Sequence, residues 1–154
     1  MLLNKKVSWL LLIAFITFDN IFSYFAIVYH GMREWNPTTS FLVSITPLFY
    51  FVSIPLTIIF LYLIIKLVGW SEEKFSRGKK LERELNEQII TACLMFAWGI
   101  GVTSFNLITL LRKFFPLRVR YEIFLVAGIL VAIVYGIYAE WLIKKRKYSK
   151  NKQI

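Results

Sequence analysis

A chain of 154 residues that is 58% hydrophobic and 18% aromatic carries more apolar surface than a soluble domain of its length can bury, so lipid is its expected solvent. A formal net charge of +10 does not point to nucleic acid here, because the basic residues flank apolar runs instead of lining one amphipathic face. The single cysteine, Cys93, lies inside an apolar run and excludes an intramolecular disulfide.

The first apolar run, residues 7–29, follows Lys5 and Lys6. It is too long for the core of a cleaved leader and no small-x-small site follows it, so it reads as a retained first span. Asp19 falls near its middle, where a charged side chain costs about 2.5–3.5 kcal/mol on insertion scales. Asp19, Ser23, Ala26 and His30 are spaced four, three and four apart, which puts them on one stripe expected to face other helices. Asp19 then serves as a proton or cation site, or as a neutral acid that glues helices together by hydrogen bonding. Ser53, Thr57, Thr103 and Asn106 lie at depths from which they could partner it. His30 is the only histidine, and a metal wants more ligands than His30 and Glu34 supply.

After this run, Gly31 is suited to ending a helix, Asn36 to capping the next one, and Pro37 to its first position. Trp35 fits an interfacial anchor, and Glu34 can pair with Arg33, Arg118 or Arg120. The second run, residues 40–68, contains Pro47 and Pro55 beside Thr46, Ser53 and Thr57, so a kinked helix is expected. Residues 71–88 turn polar and form a connector. Within it, Leu81, Leu85 and Ile89 recur at steps of four, which suggests that the third span begins as an amphipathic helix. The third run, residues 89–111, places Gly99, Thr103 and Asn106 on one stripe. The fourth, residues 121–143, has Gly128, Ala132, Gly136 and Glu140 at strict steps of four, a small-residue face for close helix packing. Glu140 is also placed to pair with Lys144. Residues 144–154 are a basic tail expected to meet anionic lipid.

The expected fold is therefore all-α: four transmembrane helices in an antiparallel bundle, forming a single membrane domain over residues 1–154. Fourteen of the nineteen Lys and Arg residues lie on the side of both termini and the 71–88 connector. That bias predicts both termini inside and a multi-pass protein of the cell membrane.

Asp19 with Ser23, followed by Gly31, Glu34, Asn36 and Pro37, resembles the first-hairpin signature of an uncharacterised prokaryotic family of small four-span membrane proteins. That signature reads D-x3-T and then G-x2-E-x-N-P. Ser23 stands where the family has threonine, and the likeness covers about the first quarter of the chain. It implies a four-span fold and brings no activity with it, since the family's biochemical role is unknown. The chain is also similar to lipoprotein signal peptidases in length, topology and a first-span aspartate. Their catalytic aspartate pair lies in the second half of the chain, where this sequence has no aspartate, and that chemistry needs two carboxyls. Small multidrug exporters share one acid in the first span, but they are much shorter, so that likeness is architectural.

No nucleophile with a base, no metal set and no phosphate-cradling glycine loop is legible, so the sequence leans away from an enzyme and implies no cofactor. The leading expectation is a binding or scaffold subunit of a membrane assembly, as a homo-oligomer or part of a larger complex. The alternative is an oligomeric proton- or cation-coupled transporter that uses Asp19, with Ser23, His30 and Asn106 around it.

Overall fold

A computed structural model describes residues 2–34, 37–75, 80–115, 120 and 122–151, and all regular structure among them is helical. The elements are α1 (Lys5–Val28), α2 (Pro37–Ile45), α3 (Phe49–Phe75), α4 (Lys80–Phe96), a π-helical segment (Ala97–Thr103), α5 (Ser104–Phe114) and α6 (Glu122–Asn151). Four stretches are long and apolar enough to cross a bilayer: Lys5–Val28, Phe49–Ser71, Arg83–Arg112 and Glu122–Lys145. The chain therefore has a helical polytopic fold. We call the end that carries the α1–α2 connection the hairpin end, and the end that carries both termini the terminal end.

Asn4 starts α1 as its cap, its side-chain oxygen accepting from Lys6 N–H at 2.9 Å. Gly31 finishes the same element. Its φ of +60° reverses the chain while its N–H bonds Ile27 O and the Met32 N–H bonds Ala26 O, each at 3.1 Å. A β-carbon is disfavoured at that φ, which is the reason for glycine there.

The apolar window 40–68 differs from the expected kinked helix, because it is divided. α2 ends at Ile45, residues 46–48 turn, and α3 begins at Phe49. Pro47 is the cause, since it has no N–H to continue a helix and its ring biases Thr46 away from helical geometry. Thr46 O and Pro47 O accept from Phe49 N–H at 3.0 Å and Tyr50 N–H at 3.3 Å, which restarts the helix. Pro55 is accommodated inside α3. Elsewhere the helices outrun the apolar windows. Much of the 71–88 connector is helix, belonging to α3 and α4, and the basic tail is a continuation of α6 as far as Asn151.

The helix running from α4 through the π segment to α5 is central. It packs against α1 and α3 on one side and α6 on the other, while α1 and α3 also touch each other. α6 meets only this central helix among the described elements, so most of its surface, from Ile123 to Trp141, is exposed and apolar.

Its contact face is set by small residues. A β-carbon on Gly128 would come within 2.5 Å of Gly101 N and 2.7 Å of Gly101 Cα, so the two backbones are in contact there. Ala132 is buried and its carbonyl accepts from Cys93 Sγ at 3.3 Å, while a β-carbon on Gly136 would meet Cys93 Sγ at an ordinary 3.6 Å. The face then passes to Ala139, which is fully buried, and not to Glu140, whose side chain is 69% exposed. The strict four-residue spacing explains this shift, because each step of four overshoots a full turn by about 40°. Glu140 instead lies 3.9 Å from Lys144 Nζ in an exposed pair.

At the terminal end the three mutually packed spans meet on one carboxylate. Glu87, 1% exposed, receives Lys5 and Lys66 on Oε2, the latter at 2.7 Å, and Arg83 Nε on Oε1 at 3.2 Å. The Leu3 backbone completes the closure: its N–H donates to the Tyr135 hydroxyl at 3.1 Å and its carbonyl accepts from Gln88 Nε2.

The Gly128–Gly101 contact gives a direct test by thermal denaturation in detergent. Gly128→Ala should destabilise the fold by about 1–3 kcal/mol, since the added methyl group meets backbone that cannot rotate away. Gly136→Ala should be close to neutral. Equal melting temperatures for the two variants would show that the crossing is looser than the structure has it.

Candidate functional site

The centre of the molecule is apolar on the terminal side of Asp19 and polar on the hairpin side. Leu12 and Ile16 of α1, Leu61 of α3 and Met95 of α4 form a buried layer, backed by Trp9, Phe15 and Ile58. Asp19 lies three residues beyond Ile16 and about 13 Å short of the hairpin end of α1 at 1.5 Å per residue. From this point a crevice of about 550 Å³ runs to the hairpin end between α1, α3 and the central helix.

Asp19 is at the floor of the crevice and 9% exposed. The Asn106 amide, from α5, donates to its Oδ1. A carboxyl pointing into hydrocarbon would forfeit several kcal/mol, and this contact with the open crevice keeps it away from lipid. The Trp98 indole N–H also faces the carboxyl, but outside hydrogen-bonding geometry. Its Nε1 and the Thr103 hydroxyl are buried without a partner among the described residues. Asn20 extends the polar wall, with its Nδ2 donating to Ile16 O at 2.8 Å. The Ser53 hydroxyl lies 2.6 Å from Asn20 Oδ1 and 2.8 Å from Tyr50 O, and its one proton serves either acceptor. Near the mouth, the Tyr50 hydroxyl donates to Glu34 Oε2, so a second carboxylate lies in the same crevice, beside the exposed Arg33.

Asp19, Ser23, Ala26, Glu34 and Asn106 all line the crevice, as do Ser53 and Thr57. His30 is not in its wall. It is half-buried at the hairpin end with its ring edge-on to Phe114, centroids 5.4 Å apart. Gly31 terminates α1 and Pro37 opens α2, while Asn36, Trp35 and Arg118 lie outside the described residues. Gly99 meets the Phe15 ring, which a β-carbon there would have to displace, since it would come within 2.5 Å of it. Among the described residues no three His, Cys, Asp or Glu side chains gather as metal ligands.

Two contributors were not expected. Tyr50 reads in sequence as one more aromatic in an apolar run, and only the restart of the helix after Pro47 turns it toward Glu34. The π segment is the other. Its i to i+5 bonding adds a residue to the turn and shifts the register between Trp98 and Asn106, and such bulges recur at functional sites. Gly99 and Gly101 were the available signal for it.

Comparison with family models, with curated proteins and with solved structures gives no match to this chain.

The Asp19–Asn106 contact predicts opposite results for two substitutions. Asp19→Asn keeps a hydrogen-bonding partner for Asn106 and should leave thermal stability nearly unchanged. Asp19→Leu strands the amide and should cost about 1–3 kcal/mol. If both variants melt alike, the contact contributes nothing to holding α1 against α5.

Proposed function

We propose that this protein is a multi-pass protein of the cell membrane that binds a proton or a small cationic solute at Asp19, reached from the hairpin end. The observation that carries this reading is the position of Asp19: the only aspartate of the chain lies at the floor of a crevice of about 550 Å³ whose mouth holds a second acid, Glu34. The Asn106 contact alone would suit a packing role, but a polar route from the hairpin end to the acid adds nothing to packing and suits a binding site. The binding role fits a subunit of a membrane assembly, within a homo-oligomer or a larger complex. Coupled transport is the second reading, favoured by the aromatic and hydroxyl lining of the crevice and by the division of the second apolar run at Pro47. Of the first-hairpin residues, Glu34 lines the crevice, while Gly31 ends α1 and Pro37 opens α2.

The charge bias orients the site. With fourteen of nineteen cations on the terminal side, we place both termini in the cytoplasm and the crevice mouth outside, the fold being an antiparallel bundle. Reporter fusions check this: one after Ile154 or near Gly78 should read cytoplasmic, and one near Thr38 external. Gly78 and Thr38 reporters on the same side would overturn the four-span topology.

The site itself is tested in proteoliposomes by pH-dependent binding or uptake of small cations. Asp19→Asn should fold and melt like the parent but lose the pH dependence, because an amide bonds like the acid and cannot exchange a proton. An Asp19→Asn protein with an unaltered pH profile would leave Asp19 with a packing role only.

A further inference from the structure

The carboxylate that closes the terminal end is overmatched by cations. Around Glu87 lies a second crevice, of about 670 Å³, whose charged lining is Lys5, Lys6, Lys66 and Arg83 against Glu84 and Glu87. Among the described residues, four positive charges face two negative ones. Lys5 and Lys66 converge on the same Glu87 oxygen, so their ammonium groups are held close to each other, while Arg83 takes the other oxygen. One carboxylate cannot use all the donors of Lys5 and Lys66, since each ammonium has three N–H groups. Nor can it cancel the repulsion between them. The cationic side chains remain about a third exposed, at 32%, 36% and 30% for Lys5, Lys66 and Arg83, whereas Glu87 is almost fully enclosed at 2%. Unused donors and excess charge therefore face the crevice, and the acid is hidden behind them.

The depth of the crevice selects the anion. Lys5 and Arg83 open two of the apolar spans, and Lys66 lies five residues before the end of a third at Ser71. This is the level at which lipid phosphates sit when the spans cross a bilayer. On the adjoining turns Val7, Leu10, Leu63 and Leu67 are exposed and apolar, a surface that acyl chains cover and a free ion does not need.

We propose that this crevice is a binding site for the phosphate headgroup of an anionic phospholipid, held by Lys5, Lys6 and Lys66 between α1, α3 and α4. The site is separate from the Asp19 crevice. Its lipid fits into the terminal-end closure and reinforces it.

The experiment is native mass spectrometry and thermal denaturation of the full chain in neutral detergent. Three additives are compared: phosphatidylglycerol, phosphatidylcholine and inorganic phosphate. Phosphatidylglycerol should be retained and should raise the melting temperature, while phosphatidylcholine should do neither. Lys66→Gln and Lys6→Gln should each weaken retention about fivefold, the factor expected for one well-placed lysine at a lipid surface. Lys6 makes no bond to Glu87, so that variant reports on the site even if Lys66→Gln fails to fold. Lys144→Gln, on the exposed part of α6, should change nothing. Three results would overturn the proposal: equal retention of the two lipids, a loss in Lys144→Gln as large as in Lys6→Gln, or stabilisation by inorganic phosphate with no preference for the anionic lipid.

Discussion

The buried Glu87 carboxylate is the constraint on which the arrangement of the other spans depends. It lies on α4 and collects Lys5 from α1, Lys66 from α3 and Arg83 from its own helix. Three helices with little hydrophobic preference for each other over lipid are thereby pinned at one end, where polar bonding is the available glue. Gly69, also buried, lies against this node, and a β-carbon there would come within 3.0 Å of the Glu87 side chain. The pinned ends leave the hairpin ends of the same helices free to diverge, and there the crevice opens. Removing the carboxylate would leave cations facing each other with nothing between them.

From that closure to the hairpin end, the interior changes character along α1. Ser8, Leu12 and Ile16 are fully buried, and Asp19 follows on the same face with a polar crevice beyond it. The transition occurs within a single turn, between Ile16 and Asp19. Opposite it, the central helix makes its own change, from Met95 in the apolar layer to Asn106 on the carboxyl, and the π segment lies between the two. The extra residue in that turn is what lets one helix bring Gly101 against Gly128 on α6 while still presenting Trp98 and Asn106 to α1.

The four spans are legible in sequence because backbone bonding in lipid admits little besides helices, and apolar length then decides the count. The division at Pro47 was half visible. The proline announces a disturbance, but whether a helix bends or stops depends on where the following N–H groups turn, and here those of Phe49 and Tyr50 go to Thr46 O and Pro47 O and start a new helix. Asp19 was legible as an interior residue from its cost alone, and Asn106 was among its candidate partners by depth. Glu87 was not, because it sits in a charged stretch that reads as a solvated connector. Its signal was the stripe of Leu81, Leu85 and Ile89, which announces a helix continuing past the apolar window, together with an excess of lysines at three span ends. His30 shows the limit of stripe reasoning. Eleven residues from Asp19, helical spacing no longer constrains it, since α1 ends at Val28 before reaching it.

Magnitudes decide which of the two terminal-side barriers matters for access to Asp19. The ion pairs of Glu87 join cations that are about a third exposed, so water can replace the carboxylate at each of them. Wetting the apolar layer is a different matter. Exposing a buried leucine, isoleucine or methionine to water costs about 1.5–3 kcal/mol. Leu12, Ile16, Leu61 and Met95 would have to be wetted together for water to pass, because they touch one another in one cluster. The apolar layer is therefore the stronger seal, and the ion node serves chiefly to hold the helices in the register that keeps the layer closed. A single copy in this conformation offers Asp19 to one side only. Moving a solute across would require a second arrangement of these helices in which the layer parts and the hairpin end closes.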